Sequence, residues 1–543
     1  VPDSSWSRFI PRNRPAPVSI FGRMPLRFLV FATLLLGSVL LACGADDSGK
    51  AAHVVVVVWD GMRPDLITSE NAPTLSALVR SGVIFKRNHA AYPGSTNVNG
   101  AVLATGLTPG HTGIIANLEF WPAIDPLKPF DTSDFPALDR NPEINAKHLG
   151  APTIAEILQT AGHWTAVAGA KPVAQFFDRS RRRTSEAAIK STVVFRGKIL
   201  PDDAGSRIKR EVGPFPVRKT FPNRSEDDWT TTVLTDVLWD NEVPKFSLLW
   251  LSDPDLTQHE TTVGAPAAMA AIRNSDHNLA RVLAALKSKN ALTRTDIFVV
   301  SDHGFSTISH VADVAAALRK AGFDAVRAFD EKPRHGQILV VSLGGSVSFY
   351  VADHEQALIE KLIDFLARSD FASVILTREK HEGAFTFAQT EIDGPAAPDV
   401  MVACRWNDQP NEFGIAGQIV TDIGRSSRHG SHSTLSPHDV KNTLIACGPD
   451  FRRGWSDETP SGNIDLAPTI LWILGVKTLH PMDGRILREA LADAHEKPVV
   501  AEKTMEAQRN LGGAVWRQHL RTATVDGVTY FSEGNGASAP PPP

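Results

Sequence analysis

Cysteine is nearly absent from this sequence, with three in 543 residues. Three cannot build a disulfide framework, so buried apolar surface has to hold the fold. An excess of either charge is also lacking. Lys and Arg total 56 against 60 Asp and Glu, a net charge of −4. That balance argues against a protein that wraps a polyanion, and no nucleic-acid binding is expected. No internal repeat is found, which excludes a solenoid. The apolar run from Phe28 to Ala42 falls short of the ~20 residues that span a bilayer. Against these absences, 42% of the residues are hydrophobic and 21% charged, a globular composition with ample material for a core.

The apolar run has a purpose of its own. In "MPLRFLVFATLLLGSVLLACGADDSG", Arg27 supplies a positive start and Phe28 to Ala42 an h-region, the pattern of a signal peptide. "LLAC" followed by Gly44 resembles a bacterial lipoprotein box. This makes Cys43 the lipidated first residue of the mature chain and gives an expected attachment to a membrane. An ordinary secretory signal cleaved nearby is the alternative. The residues before Met24 read as an upstream extension, so 1–43 is extension plus signal and 44–52 a polar linker. The expected location is the periplasm of a bacterium or its outer membrane. Cys404 and Cys447 lie in apolar runs and read as inert buried thiols.

From residue 53 the chain alternates. "HVVVVVWDG" is a continuous β-branched run of the kind buried on both faces of a parallel sheet. "FSLLWLSDPD", "DIFVVSDHGF", "PDVMVACRW" and "NTLIACGPDF" repeat the pattern, and amphipathic stretches at 265–289 and 355–369 read as helices between them. The fold class is therefore α/β, a doubly wound and mostly parallel sheet with helices on both faces, with residues 53–490 as its domain. Residues 178 to 231 interrupt the alternation and are rich in Arg and Lys ("DRSRRR", "RIKREVGPFPVRK"). They read as a solvated insertion loop, with a cationic cap over an anionic substrate as the alternative. Residues 491–535 carry a β-hairpin signal around Asp526–Gly527, and the tail 536–543 is expected to be disordered.

Ligands of open α/β sheets bind beyond the carboxyl ends of the strands. Chemistry-bearing residues collect at those ends here. Asp60 closes one strand, Asp255 and His259 follow another, and Asp302 with His303 closes a third. Three strands ending this way have the composition of a metal site built from nitrogen and oxygen ligands. Asp255 and His259 are four apart, so one helical turn aims both side chains at one ion. Before another helix, "YPGSTNVNGAVLATG" offers the hydroxyls of Ser95 and Thr96. Taken alone, these are better explained by helix capping than by nucleophilic chemistry.

The segments "VVVVVWDG", "YPGSTNVNGAVLATG", "HTGIIAN", "DPDLTQHE", "VVSDHGF" and "RHGSHSTLSPHDVKNTLIACGPDF" occur in this order. Together they resemble the type I phosphodiesterase and nucleotide pyrophosphatase branch of the alkaline phosphatase superfamily, from about residue 53 to 485. The resemblance implies two zinc ions. Asp60, Asp302 and His303 would hold one of them, and Asp255, His259 and His432 the other. His429, which has the following glycine of the family's "HG" motif, is the alternative to His432. Thr96 is implied as nucleophile, ahead of Ser95, and Asn117 as donor to a nonbridging phosphate oxygen. The implied reaction is hydrolysis of a small phosphate ester, a phosphodiester or nucleotide pyrophosphate, through a phosphothreonine. A phosphomonoesterase, a phosphonate hydrolase and an inactive lipid-anchored binding protein are the alternatives. Monoesterase relatives carry Lys-x-Arg. Here Lys171, the candidate substrate-binding cation, is followed two residues on by Val173, with Arg179 the nearest replacement. The sulfatase pattern is missing, because "CGPDFR" lacks its Ser and Arg.

Overall fold

Five consecutive valines fix the centre of the molecule. In the computed structural model, which describes residues 48–138, 148–179, 183–495 and 497–540, they form strand β1 (His53–Trp59). Alternate side chains of a strand face opposite sides of the sheet. Val54, Val56 and Val58 accordingly enter one apolar core, and Val55, Val57 and Trp59 another. A run this apolar is stable only where both faces are covered.

β1 lies inside a nine-stranded sheet. Its other strands are β2 (Val83–Phe85), β3 (Thr165–Gly169), β4 (Thr192–Phe195), β5 (Lys198–Leu200), β6 (Phe246–Leu251), β7 (Thr295–Val300), β8 (Leu444–Cys447) and β9 (Trp455–Asp457). The order across the sheet is β9-β2-β8-β7-β1-β6-β3-β4-β5. The run β7-β1-β6-β3-β4 is parallel throughout. β8 is antiparallel to both its neighbours, and β5 is antiparallel to β4. Helix α1 (Thr96–Thr105) covers one face, with Val98, Ala101 and Ala104 in the core below it. The long helix α4 (Pro266–Ser288) covers the other through Ile272, Leu279, Val282 and Leu286. All five parallel strands deliver their carboxyl ends to one edge, which is where the site forms.

Several expectations need correction. Val400–Cys404 forms a strand, but not of the central sheet. It pairs antiparallel with Ser346–Val351 and Ala372–Thr377 in a separate six-stranded sheet, and helix Gln356–Arg368 packs there too. An apolar run reports burial, not the partner that buries it. The basic segment 178–231 is not a solvated loop over its described residues. β4 and β5 extend the central sheet, and helix α2 (Arg224–Thr232) follows them. The C-terminal hairpin has a third strand: β10 (Val500–Asn510), β11 (Val515–Val525) and β12 (Val528–Ala539) form an antiparallel sheet, with Asp526–Gly527 at the second turn. β12 runs into the segment expected to be disordered, since its ladder with β11 continues to Ala539. This sheet packs back on the rest of the described residues, which cluster as one compact unit. Val525, Val528 and Tyr530 meet Val102 and Ile464. The signal segment, Cys43 and residues 541–543 lie outside the described residues. Among the described residues no helix is long and apolar enough to cross a membrane.

Candidate active site

The residues singled out at the strand ends converge. Asp60 follows β1 and is fully buried. Trp250 on β6, the neighbouring strand, donates its indole N–H to Asp60 Oδ2 at 2.7 Å. Asp302 follows β7, and its Oδ1 accepts the N–H of Gly61 at 3.0 Å. Asp255 opens helix α3 (Asp255–Thr261), and His259, one turn on, brings Nε2 to 3.2 Å from Asp255 Oδ1. His303 Nε2 lies 3.2 Å from Asp302 Oδ2 and 3.8 Å from Asp60 Oδ1. His432 follows the short strand Gly430–Ser431 and reaches to 3.6 Å from Asp255 Oδ1. Its ring stacks on that of His303 at 3.7 Å. His429 stays outside this cluster, on the chain segment that meets Ile308 by its backbone.

The proton positions of the imidazoles can be deduced. His259 Nδ1 is 2.9 Å from the carbonyl of Gly430, His303 Nδ1 2.9 Å from that of Gly304, and His432 Nδ1 2.7 Å from that of Gly94. A carbonyl oxygen only accepts, so each Nδ1 carries a hydrogen, which leaves Nε2 as the ring atom turned inward and open to a metal ion. The carboxylates match them. Asp60 Oδ1, Asp255 Oδ1 and Asp302 Oδ2 are all buried without a hydrogen-bond partner. Ring nitrogens and carboxylate oxygens without a hydrogen-bond partner thus face one another, an arrangement that suits a bound cation. One ligand atom from each of Asp60, Asp302 and His303 lies within 4.8 Å of the others, and the same holds for Asp255, His303 and His432. His303 therefore stands between the two groups, and His259 joins the second through Asp255. Carboxylate oxygen with neutral imidazole suits zinc and its neighbours in the first transition row. The donor set fits such an ion.

Lys171 stands elsewhere than expected of a phosphate ligand. From the loop after β3 its Nζ bridges Asp255 Oδ2 at 2.5 Å and Asp60 Oδ2 at 2.9 Å. Burial and the neighbouring Asp302 push the Asp60 carboxyl well above its usual range. Asp255 is held well below that range, because the Lys171 ammonium and His259 outweigh its burial. Burial and the adjacent imidazoles drive His432 well below the usual histidine range. Arg179 is fully engaged away from the cluster, with its guanidinium on Glu156 and on the carbonyls of His148 and Ala151.

Thr96 is the first residue of α1, and its Oγ1 lies 3.4 Å from His303 Nε2. The helix turns its free N–H groups and positive end toward the same point. Ser95 is the N-cap, yet its hydroxyl makes no capping bond and is buried without a partner. Asn117 caps instead, its Oδ1 accepting the N–H of Asn97 at 2.8 Å. Beyond that bond, its amide nitrogen donates to no other described residue. Trp250 and the three glycine carbonyls were not foreseen. The indole's role depends on strand register, which the sequence conceals. The glycines do adjoin the critical residues in "PGST", "DHG" and "HGSH", the one signal available.

A family model described as type I phosphodiesterase / nucleotide pyrophosphatase matches residues 54–412. Among curated proteins no sequence matches the chain. Among solved structures, human ectonucleotide pyrophosphatase / phosphodiesterase 5 superposes with a TM-score of 0.57 at 17% identity, covering 81% of this chain and all of that one. The murine counterpart gives 0.55 at 19% over the same shares of the two chains. An inactive threonine-to-alanine variant of the murine protein in complex with AMP gives 0.56 at 18%, again over 81% of this chain and all of that one. At such identities the likeness establishes the fold, alkaline-phosphatase-like, while the family match spans most of the chain. With the strand-end cluster already in view, the conclusion is that this chain belongs to the type I phosphodiesterase / nucleotide pyrophosphatase family and is a hydrolase acting on phosphoric ester bonds.

Proposed function

We propose that the protein is a zinc-dependent phosphodiesterase that works through an ester on Thr96. The observation carrying this reading is the Thr96 hydroxyl at a helix N-terminus, 3.4 Å from His303 Nε2, the ring nitrogen that the Nδ1 contact with the Gly304 carbonyl leaves open. Asp60, Asp302 and His303 would hold one zinc and Asp255, His259 and His432 the other. Bound there, the ions would supply Lewis-acid charge at the attacking and departing oxygens. Thr96 Oγ gives up its proton to water and forms a bond to phosphorus as the bond to the leaving oxygen breaks, and the departing oxyanion takes its proton from water. The Asn117 amide nitrogen would orient the nonbridging oxygens, together with the first N–H groups of α1 other than that of Asn97, which Asn117 Oδ1 already takes. Water then attacks phosphorus and releases Thr96. The inactive threonine variant of the murine relative is in keeping with this assignment.

Diester preference over monoester rests on what surrounds the site. A monoester brings a second negative charge that a bidentate arginine is suited to hold. Val173 occupies the candidate position and Arg179 is committed elsewhere. The test compares bis-p-nitrophenyl phosphate with p-nitrophenyl phosphate, using the protein supplied with zinc. The diester is expected to be the faster substrate, Thr96→Ala to abolish turnover and Thr96→Ser to retain part of it. Undiminished turnover by Thr96→Ala would sink the mechanism, and a faster monoester would reverse the preference. Export and lipid attachment at Cys43 complete the proposal. Metabolic labelling with palmitate, lost in Cys43→Ser, is the expected result, and an unlabelled membrane-free chain the contrary one.

A further inference from the structure

The basic segment borders a cavity of about 780 Å³ at the end of β4. One wall is Pro172, next in sequence to Lys171. Another is Asp131, whose carboxylate accepts from Asn97, the neighbour of Thr96, at 3.1 Å. The opposite wall carries Arg196, Lys198 and Arg218.

Local geometry holds these three cations together. Arg196 and Gly197 both have positive φ, 49° and 76°, the two-residue turn that joins β4 to β5. Phe215 lies on that turn so closely that a Cβ at Gly197 would sit 2.5 Å from the Phe215 Cβ. The Phe215 ring is anchored in turn edge-on against Trp229 of α2. The loop that carries Arg218 is thereby pinned to the turn that carries Arg196 and Lys198.

Three acids also line the cavity, so formal charge is balanced, and since a carboxylate only accepts, the charged donors open to an anion are the three cations. Glu226 is buried on Asn223 Nδ2 at 2.6 Å. Asp131 takes Asn97 Nδ2 together with the N–H and hydroxyl of Ser133, and Asp134 takes the N–H of Ala137. By contrast, Arg196, Lys198 and Arg218 have no ion pair or side-chain hydrogen bond with any described residue. Arg218 only overlies the ring of Phe221, at 5.2 Å.

We propose that this cavity receives the part of the substrate beyond the scissile phosphate, and that this part carries an anionic group of its own, held by Arg196, Lys198 and Arg218. The inference rests on the phosphodiesterase reading and adds a substrate class to it. The shared chemistry is a compact oxyanion, either a second phosphate or a carboxylate.

The test uses p-nitrophenyl phosphodiesters whose second alcohol is propanol, 3-hydroxypropanoate or 3-hydroxypropyl phosphate. All three release the same leaving group. The intact protein is expected to favour one or both charged esters over the propyl ester in kcat/KM by about 10- to 100-fold, the range for one or two charge-assisted hydrogen bonds. Which of the two gains identifies the oxyanion. In Arg196→Ala/Arg218→Ala the preference should vanish while the propyl ester stays within about 2-fold, because neither arginine touches the cluster around Thr96. Charged esters no better than propyl, or a preference that survives the double substitution, would overturn the proposal. Turnover of the propyl ester reports on the phosphodiesterase reading separately. If no ester is cleaved, that reading fails and this one with it.

Discussion

Gly100 offers the sharpest test of how Thr96, the proposed nucleophile, is held. It lies one turn into α1 after Thr96, and a Cβ placed there would come 2.1 Å from Val173 Cγ2. Phe176 and Trp250 would follow at 3.5 and 3.6 Å, closing off any retreat. Two effects of Gly100→Ala oppose each other. Alanine favours a helix interior over glycine by about 1 kcal/mol. Overpacking a filled core costs about 1–3 kcal/mol, and a β-branched neighbour that is 1% exposed puts this case at the upper end. Net destabilisation of about 1–2 kcal/mol is expected in urea unfolding. Val173→Ala removes the obstructing methyls, so the double variant should recover stability, with a coupling of about 1–3 kcal/mol between the two sites. Activity should follow, since pushing α1 away from the 3-10 helix Pro172–Phe177 moves Thr96 relative to His303. A misplacement of about 1 Å can cost as much as 100-fold in rate. Gly100→Ala as stable as the parent would refute the reasoning, and so would a Val173→Ala partner that gives no rescue.

Other consequences can be measured directly. Burial and the neighbouring Asp450 carboxylate push Asp296 up to about 9. The folded chain then keeps a proton that the unfolded chain loses near its ordinary pKa of about 4, so stability is greatest below that pH and falls as pH rises toward 9. Between pH 6 and 9 the melting temperature is expected to drop, by up to about 1.4 kcal/mol per pH unit in stability, and Asp296→Asn should flatten the decline. Trp250→Phe keeps the ring but withdraws the N–H from Asp60 Oδ2. Zinc affinity in a competition titration should fall about 10- to 100-fold while the fold persists. Exhaustive chelation should abolish diesterase activity and added zinc restore it, whereas activity in metal-free protein would count against the ligand assignment.

Much of the site could be read in the sequence because its chemistry coincides with strand ends. Asp60, Asp255, Asp302 and His303 each follow an apolar run, and parallel strands must present those ends together. His432 and Thr96 needed the family resemblance, since neither follows a strand of the central sheet. What stayed hidden depends on which strand lies beside which. "PDVMVACRW" is as apolar as β1, yet it belongs to another sheet, because hydrophobicity sets burial and not partner. Trp250 reaches Asp60 only through the pairing of β6 with β1. The basic segment misled for a different reason. Its Arg and Lys density suggested a solvated loop, but Val193, Val194 and Phe195 are all buried and add a strand to the sheet edge. Lys171 was foreseen as part of the site, but its pairing with two carboxylates was not, because the sequence does not show which charges will be neighbours.

The three histidines orient themselves on glycine carbonyls, and this bears on how the family can diverge. A side-chain partner is lost by a single codon change, but a main-chain oxygen survives any substitution that leaves the backbone in place. Two of these glycines have little room to change. A Cβ at Gly304 would lie 2.1 Å from the carbonyl of His438, and one at Gly430 2.5 Å from that of Gln258. The tautomers are thus inherited with the path of the chain rather than residue by residue. Mutation can then remodel the walls around the site, such as the Arg196–Arg218 rim, and try new substrates without resetting the chemistry at its centre.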